Sequence, residues 1–563
     1  MTDAAAGPAF SLRQIPFSHH GSWFDISPVT GEHTYADDLH LVSHQNGMHP
    51  VLRLIALGDA RWHATPGELS WLAPAGRIDL AYQAPDTVRL RGRGLALRVT
   101  AAAPALTPFS GTYLYRDPLD GAFTFTSYET GRRYRLTVLA GVAEAFGAQA
   151  LGEAERGVLL TGEWEAAIEE LDSAREPYAS PVPFEKVAAA ARAAFTDFAD
   201  TIAPWRCART PAAELAAYVL WSATVRPAGV LGRPAVLMSK HWMDKVWSWD
   251  HCFNALALAP GAPELALHQY LLPFDHQDES GALPDSVTHS EVLYNFVKPP
   301  IHGWALRLLR RRLPQPLPAA ELATVYQGLA RWTRFWLRQR RAPGSALAHY
   351  QHGNDSGWDN ATVFDAGRLA ATPDLAAFLI LQMAELADLA VELDLADEAA
   401  EWRRELARMH AALQGLWDGR QFVVRAADTG APRTTASLLH LLPIVLGSDL
   451  PPGTAGALAE RIAAHLTAHG LATERTDSPH YQPDGYWRGP VWAPSTVLVE
   501  DGLRRAGATG LADEISARFR ALCERSGFAE NFDAVTGEGL RDRAYTWTAA
   551  AYLMLAEAAI ARG

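Results

Sequence analysis

Two carboxylates, an indole ring and two glycines stand within ten residues in the segment 351–360, which reads QHGNDSGWDN. A second acidic and aromatic segment, 528–533 (FAENFD), lies far downstream. A carboxyl group can move a proton, an aromatic face can pack on a pyranose ring, and a turn can aim both. Two separated carboxylates that folding brings together are the minimum for cleaving a glycosidic bond. The two segments therefore indicate sugar chemistry.

Asp359 and Glu530 are the candidate catalytic pair. Asp359 follows Trp358 and lies near Asp355, so burial and a like charge would raise its pKa and keep it protonated as a general acid. Glu530 precedes Asn531, whose amide would orient the carboxylate as a general base that activates water. In such a reaction the two carboxyl groups stand roughly 6.5–9.5 Å apart. Taken alone, Glu530 would be interpreted as a surface residue. Only the presence of the other acidic and aromatic segments favours a catalytic role for it.

Three further segments combine aromatic rings with polar groups: 239–251 (SKHWMDKVWSWDH), 274–286 (FDHQDESGALPDS) and 485–492 (GYWRGPVW). Trp247 and Trp249 alternate, which favours a loop or a site over one face of a helix. Asp250 is equally compatible with a helix N-cap. Trp487 and Arg488 together are compatible with a purely structural stacking pair.

Residues 275–279 (DHQDE) crowd carboxylates around an imidazole, as a metal site would. Their spacing matches no zinc pattern, and calcium loops use a more regular series of oxygen ligands. The three cysteines, Cys207, Cys252 and Cys523, are odd in number and show no CxxC spacing, which argues against a disulfide framework and a thiolate metal site. We expect no metal and no other cofactor.

The formal net charge of -13 argues against nucleic acid or an anionic membrane as a partner, because both require clustered Lys and Arg. A small, neutral carbohydrate is compatible with that charge, and the 18 tryptophans can serve as core or as sugar platforms. Residues 1–7 lack the basic and apolar regions of a signal peptide, and no apolar run is long enough for a bilayer. We therefore expect a cytoplasmic protein; its oligomeric state is not indicated.

A chain of 563 residues exceeds the usual size of a single core, so we expect two domains. Residues 1–171 contain short, partly alternating runs bounded by Gly and Pro, which predict an antiparallel β-sandwich domain. Residues 172–184 (DSAREPYASPVPF) carry three prolines and predict a linker. Residues 185–563 show helical spacing without heptads or a fixed repeat, which favours a helical toroid. The predicted strands are 52–56, 88–101, 123–128 and 133–140, and the predicted helices are 213–225, 319–337, 374–393, 397–416, 455–469, 508–523 and 545–560, the last of them buried.

Three motifs in order, SGWDN (356–360), YWRGPVW (486–492) and FAENFD (528–533), resemble glycoside hydrolase family 63. That group includes bacterial α-glucosidases and mannosylglycerate or glucosylglycerate hydrolases, and family 37 trehalases are related to it. The resemblance covers roughly 185–563. It implies an (α/α)6 barrel and an inverting mechanism without a cofactor.

The resemblance also implies roles for individual residues. Asp359, which closes the SGWD element, corresponds to the general acid, and Glu530 corresponds to the general base. The resemblance places Trp249, Asp250, Trp487 and Arg488 around the sugar in subsite −1. We therefore expect an inverting, exo-acting α-glycosidase, an α-glucosidase in type, that hydrolyses a short α-glucoside or a glucosyl conjugate. The expected substrate contacts are Trp249, Asp250, Trp358, Trp487, Arg488 and Trp547, with Gln277, Asp278 and His302 on the acceptor side.

Two other functions remain open from the residues alone. A toroid sugar isomerase or epimerase would use a histidine as acid and base, and His241, His251 or His276 could serve. A non-catalytic carbohydrate-binding protein would stack sugars on Trp. The presence of both Asp359 and Glu530 argues against the second function, because binding alone needs neither a proton donor nor a base.

Overall fold

A computed structural model describes residues 7–147 and 151–563 of the chain. The chain divides into two compact units. The first contains residues up to Pro204, together with Glu214–Lys245 and Thr288–Ser290. The second contains Trp205–Ala213, Val246–Val287 and Glu291–Gly563. The β-rich unit thus continues past 172–184, and the predicted domain bounds of 171 and 185 stay a prediction.

The first unit is built on one 12-stranded sheet, and each pair of neighbouring strands in it is antiparallel. Its main path is β1-β2-β3-β8-β12-β7-β6-β5-β4, and β11 adds β10 and β9 by pairing with β12. The strands are β1 (Phe24–Gly31), β2 (Thr34–Ser43), β3 (His49–Ala56), β4 (Arg61–Thr65), β5 (Glu68–Ala73), β6 (Gly76–Ala84), β7 (Thr87–Arg93), β8 (Leu97–Ala101), β9 (Thr112–Arg116), β10 (Phe123–Ser127), β11 (Arg133–Phe146) and β12 (Gly157–Leu171).

The inward side chains of this sheet form one apolar core. Leu52 and Leu54 of β3, Leu80 of β6 and Ile168 of β12 are among its buried members. Alternation along each strand sends these residues to one face, as the sequence pattern predicts. The all-β character of the N-terminal region is thereby confirmed.

The predicted strand 88–101 is two strands, β7 and β8, because Gly94 interrupts it. Gly94 has φ +69°, and a Cβ there would lie 2.5 Å from the carbonyl oxygen of Ala75. Only glycine fits both the backbone angle and the close approach. The turn at Gly94 therefore separates two runs that are continuous in hydrophobicity.

Twelve α-helices follow from residue 184 onward within the described chain, and the predicted helices agree with them to within a few residues at most ends. They are α1 (Phe184–Ile202), α2 (Ala213–Ala223), α3 (Asp250–Leu258), α4 (Pro263–Asp275), α5 (His302–Arg312), α6 (Ala319–Gln339), α7 (Pro373–Glu392), α8 (Ala396–Gln414), α9 (Pro452–Ala463), α10 (Ala493–Arg505), α11 (Thr509–Ser526) and α12 (Thr546–Arg562).

The helices of the second unit fall into two kinds. α3, α7, α10 and α12 are buried on all sides over most of their length, which includes the predicted burial of α12. By contrast, α8 buries only one stripe, with Trp402 and Met409 among its members. Helices that are apolar all round lie inside, and helices with one apolar stripe lie outside. This division is typical of a toroid with an inner and an outer ring of helices.

Short strands join the loops between these helices. In the first unit β13 (Thr224–Val225) pairs with β14 (Ala235–Val236). Three small sheets lie in the second unit: β15 (Val246–Trp247), β16 (Ser286–Val287) and β17 (Val292–Leu293); β18 (Ala370–Ala371), β19 (Val424–Ala426) and β20 (Pro432–Arg433); β21 (Val491–Trp492), β22 (Asn531–Phe532) and β23 (Gly539–Leu540). Within 7–147 and 151–563, no helix has both the length and the apolar surface needed to cross a membrane.

Candidate active site

Asp359 follows a short 3-10 turn, Gly353–Ser356, which is closed by Gly357. Gly357 has φ +71°, and a Cβ on it would lie 2.5 Å from the Trp249 ring. The His352 side chain accepts a hydrogen bond from the Asn354 N–H and so caps the start of the turn. Gly357 is therefore required for the backbone angle and for contact with Trp249.

Asp355 anchors this turn. Its carboxylate accepts hydrogen bonds from the N–H groups of Val297 and Gln351, at 3.2 and 2.8 Å, and pairs with Arg340 at 2.7 Å. Three donors thus hold it in place. The sequence suggested Asp355 as the like charge beside Asp359, but the carboxylate that raises the pKa of Asp359 is Asp285.

Asp359 lies beside a buried lysine. The Lys298 Nζ is 3.8 Å from Asp359 Oδ1 and 3.1 Å from Asp285 Oδ1, and the Asp359 side chain is 28% exposed. Burial raises the pKa of Asp359, the charge of Lys298 opposes the rise, and the charge of Asp285 adds to it. Burial alone would lower the pKa of Lys298, but Asp359, Asp285 and Asp250 together raise it above its usual value. Lys298 therefore stays charged among three carboxyl groups.

Asp250 is the first residue of α3 and is only 4% exposed. A helix N-terminus favours a charged carboxylate, yet burial raises the pKa of Asp250 to about 8 against the opposing charge of Lys298. Its Oδ2 atom has no hydrogen-bond partner among the described residues. At neutral pH Asp250 therefore carries a proton that it can donate to a ligand hydroxyl.

Glu530 directly precedes β22, whose residues Asn531 and Phe532 pair with Trp492 and Val491 of the YWRGPVW segment. Glu530 is 1% exposed, and its Oε2 atom has no hydrogen-bond partner within 7–147 and 151–563. Burial raises its pKa to about 8, and the charge of Asp542 adds to the rise. A buried carboxyl oxygen without a partner is available for a water or a substrate.

The expected hydrogen bond from the Asn531 amide to Glu530 is absent. The Asn531 Oδ1 atom accepts from Arg541 at 3.2 Å, and its Nδ2 atom has no partner in the described part of the chain. The backbone N–H of Glu530 instead donates to the Asp542 carbonyl at 2.8 Å. Tyr486 is close enough to favour the ionised form of Glu530 and so opposes the rise of its pKa. The backbone pairing therefore positions Glu530.

Tyr486 lies within electrostatic range of the three candidate carboxyl groups. Burial raises the pKa of Tyr486, the charges of Glu530, Asp359 and Asp250 raise it further, and the charge of Arg541 opposes the rise. Three segments far apart in sequence therefore place their carboxyl groups near enough to act on one phenol group.

A cluster of tryptophans lies beside Tyr486, and the rings of the cluster pack on one another. Trp487 stacks on Trp492 at 3.9 Å and on Trp358 at 4.7 Å between ring centroids. Trp547 meets Trp249 edge to face at 5.8 Å. All five rings are buried. Two other indole rings therefore stack on Trp487, and the Nε1–H groups of Trp492 and Trp547 donate to the carbonyls of Tyr486 and Glu530.

Arg488 joins two of the loops. Its guanidinium group pairs with Asp365, and its Nε–H donates to the Asn360 carbonyl at 2.8 Å. The Asn360 side chain in turn accepts from the Trp487 N–H and donates to the Gly485 carbonyl, both at 3.0 Å. These contacts fasten the SGWDN loop to the YWRGPVW loop.

The acceptor-side candidates are occupied by internal contacts. The Gln277 amide donates to the carbonyls of Gly281 and Gly328, and the Asp278 carboxylate accepts from Ser280 and Ala282 within its own turn. His302 is fully buried, with its Nε2 3.0 Å from the Ser248 carbonyl. Their proposed contacts with substrate stay predictions.

Two of the three histidines considered for an isomerase contact backbone carbonyls. His241 belongs to the first unit, and its Nε2 lies 3.0 Å from the Arg13 carbonyl. His251 is buried, with Nδ1 3.0 Å from the Trp247 carbonyl. The charges that act on Tyr486 are those of Glu530, Asp359, Asp250 and Arg541, and no histidine is among them. Within the described residues, no group of three or more His, Cys, Asp or Glu side chains is arranged to hold a metal ion.

Lys298, Asp285 and Tyr486 were not among the candidate site residues. A signal for Lys298 was present in the composition, because only four lysines (Lys186, Lys240, Lys245 and Lys298) occur among 50 Lys and Arg residues. Most basic residues of this chain are arginines, but position 298 is a lysine. Its ammonium group is a more compact charge than a guanidinium group.

The model of the mannosylglycerate hydrolase MGH1-like glycoside hydrolase domain matches residues 243–548. A mannosylglycerate hydrolase of Rubrobacter radiotolerans is 26% identical over 54% of this chain and 89% of its own length. A glucosylglycerate hydrolase of Mycolicibacterium hassiacum is 24% identical over 61% of this chain and 97% of its own length.

Two solved structures are similar in fold. A family 63 mannosylglycerate hydrolase from Thermus thermophilus, in complex with glucose, has a TM-score of 0.55 at 22% identity, over 61% of this chain and 99% of its own. A bacterial glucoamylase complexed with acarbose has a TM-score of 0.63 at 10% identity, over 99% of this chain and 95% of its own. These likenesses confirm an all-β region followed by a helical toroid of the (α/α)6 type.

Proposed function

Because the chain belongs to the MGH1-like family of glycoside hydrolases, which carries the family 63 fold, we propose that it hydrolyses an α-glycosidic bond between a hexose and a small acid such as glycerate. We assign the general acid to Asp359 and the general base to Glu530, with inversion at the anomeric carbon. The contacts that join the loops of Asp359 and Glu530, through the Asn360 side chain and the pairing of β21 with β22, carry this proposal. The relatives named as mannosylglycerate and glucosylglycerate hydrolases support the choice of substrate.

Lys298 explains why Asp359 suits the acid role. Burial raises the pKa of Asp359 and so favours its protonated form before the reaction, and Lys298 is paired with Asp285 at 3.1 Å. When Asp359 gives its proton to the leaving oxygen, it becomes a carboxylate 3.8 Å from the Lys298 ammonium group. The nearby cation stabilises the charge that develops during bond cleavage, and stabilising that charge lowers the barrier.

Glu530 suits the base role once it is ionised. Its pKa of about 8 makes the carboxylate a stronger proton acceptor than an exposed glutamate. Its partnerless Oε2 atom can hold the attacking water. Because the pKa of Glu530 is about 8, only part of the enzyme carries an ionised Glu530 at neutral pH. The activity should therefore rise as the pH approaches 8.

The remaining site residues position the sugar. The protonated Asp250 donates to a sugar hydroxyl through its partnerless Oδ2 atom. We assign Trp249, Trp358, Trp487 and Trp547 to the wall of the hexose site. Arg488 is 21% exposed in its side chain and shares its guanidinium group with Asp365, and we retain it as a contact for hydroxyl groups.

The test follows the anomeric protons by NMR during incubation with mannosylglycerate, glucosylglycerate, trehalose, kojibiose and nigerose. We expect the wild type to release a β-hexose first from the hexosylglycerates. Asp359→Asn and Glu530→Gln should each lower kcat by about 10²–10⁴-fold. Asp533→Asn is the matched control, because Asp533 lies three residues from Glu530 and only caps the turn at Val535 and Thr536.

Three results would contradict parts of this proposal. Early release of an α-hexose would rule out a single displacement by water. Wild-type rates in Asp359→Asn or Glu530→Gln would overturn the assignment of residues while leaving the reaction intact. Hydrolysis of the disaccharides without hydrolysis of either hexosylglycerate would overturn the proposed substrate.

A further inference from the structure

A polar cavity of about 430 Å³ lies in the helical unit beside α9. It is lined by residues of α9, of the 3-10 segment Leu438–Asp449 and of the loops next to them. The polar side chains that line it are Arg420, Arg461, Arg475, His440, His465 and Glu460. None of these six belongs to the site described above.

The arginines of this cavity are only partly paired with carboxylates. Arg461 forms no hydrogen bond or ion pair in the described part of the chain, and its Nε atom is buried without a partner. Arg475 pairs with Asp477 at 2.9 Å. Glu460 lines the cavity, and Asp418 lies nearby. Burial lowers the pKa of Arg461, and the positive charges of Arg475 and Arg420 lower it further.

Another cavity of the helical unit contains arginines that are paired with carboxylates. It has a similar volume, about 450 Å³, and is also lined by arginines, among them Arg307 and Arg310. There Arg307 pairs with Glu385 at 3.4 Å, and Arg310 pairs with Glu385 at 3.1 Å and with Glu392. Arg307 and Arg310 thus stabilise the fold through ion pairs, whereas Arg461 has none within the described residues.

Two buried histidines add hydrogen-bond acceptors. His440 is 2% exposed; its Nδ1–H donates to the Ser437 carbonyl, and its Nε2 atom has no partner within the described residues. The His465 Nδ1–H donates to the Ala472 carbonyl at 2.9 Å. Burial lowers the pKa of His440 to about 4, so its ring is neutral and Nε2 accepts a hydrogen bond. The cavity thus offers guanidinium donors for an anion and an imidazole acceptor for a hydroxyl group.

We propose that the cavity lined by Arg420, Arg461, Arg475 and His440 binds a small phosphate ester of a polyol or sugar. Several guanidinium groups favour a doubly charged oxyanion over a carboxylate, because each can donate to phosphate oxygens with charge-assisted hydrogen bonds. The hydroxyl groups of such an ester can donate to His440 Nε2. The site is separate from the hydrolytic site, and the proposal does not depend on the substrate of that site.

Isothermal titration calorimetry with glycerol 3-phosphate tests the proposal, with inorganic phosphate as a second probe and sodium chloride at matched ionic strength as the blank. We expect saturable binding to the wild type. Arg461→Gln should weaken binding at least about tenfold, because hydrogen bonds to charged groups contribute about 1.5–3 kcal/mol each. Arg420→Gln, at an exposed position that tolerates substitution, should weaken it as well. Arg404→Gln, on the exposed face of α8, is the matched control and should bind as the wild type does.

The hydrolytic activity of each variant serves as the check on folding. Heat that the chloride blank reproduces, or the absence of saturable binding to the wild type, would overturn the proposal. Equal affinity of the wild type and Arg420→Gln would overturn the location, even if Arg461→Gln failed to fold. Tighter binding of inorganic phosphate than of the ester would leave the anion site in place but refute the role of His440 in holding a hydroxyl group.

Discussion

Replacing Gly357 by alanine tests whether the turn before Asp359 is positioned by contact with Trp249. Gly357 has φ +71°, and the added Cβ would lie 2.5 Å from the Trp249 ring. The left-handed backbone costs a non-glycine residue about 1–2 kcal/mol, and overpacking a filled site costs about 1–3 kcal/mol more. We therefore expect a loss of about 2–5 kcal/mol in the free energy of unfolding. A shift of about 1 Å in the loop should also lower kcat about 10²-fold.

Gly430→Ala is the control that separates these two costs. Gly430 has φ +70°, but a Cβ there would meet nothing within 4 Å. This variant should lose only the backbone cost of about 1–2 kcal/mol and keep the wild-type kcat. Urea denaturation gives the free energy of unfolding, and steady-state kinetics on the hexosylglycerate give kcat. If Gly357→Ala matched Gly430→Ala in stability and in kcat, the contact between the turn and Trp249 would not position Asp359.

Two further predictions concern buried carboxyl groups. Asp542→Asn removes the charge that, after burial, most raises the pKa of Glu530, so the acidic limb of the kcat/KM profile should move to lower pH; Asp533→Asn should leave the limb in place. Burial raises the pKa of Asp374 from 3.8 to about 7. Between these two pH values the folded protein keeps a proton on Asp374 that the unfolded chain releases. The free energy of unfolding of the wild type therefore falls as the pH rises through this range. Asp374→Asn cannot titrate at this position, so its free energy of unfolding does not fall in this way. Its stability relative to the wild type should therefore increase by about 4 kcal/mol between pH 4 and pH 8, at about 1.4 kcal/mol per pH unit. Urea denaturation at each pH measures this difference. A difference that stays constant with pH would contradict the second prediction.

The sequence predicted the elements well where periodicity alone determines them. The predicted helix 319–337 is α6, Ala319–Gln339, because its apolar residues repeat at helical spacing and pack on one face. The predicted strand 88–101 was divided because the carbonyl oxygen of Ala75 approaches Gly94. That approach comes from a distant turn, and no local pattern contains it.

The sequence suggested a like-charged neighbour for Asp359, but it could not predict which carboxylate that is. Asp359 was expected to have a like-charged neighbour, and it has one, but that neighbour is Asp285 and not the adjacent Asp355. A residue four positions away on a tight turn points elsewhere, to Arg340 in this case. The contact between Lys298 and Asp359 depends on tertiary folding, and only the rarity of lysine in the composition could have drawn attention to it.

The tryptophans illustrate the same limit. Their number and their places beside carboxylates suggested flat platforms for sugar rings. In the structure Trp487 stacks at 3.9 Å on Trp492, and Trp492 pairs through its backbone with Asn531, which follows Glu530. The rings thus connect the loop of one candidate catalytic residue to the loop of the other, since Asn360 also holds Trp487 and follows Asp359. Because these loops are fastened to one another as well as to the helices, the distance between Asp359 and Glu530 depends on loop-to-loop contacts, and the stacked indoles are part of the framework that sets it.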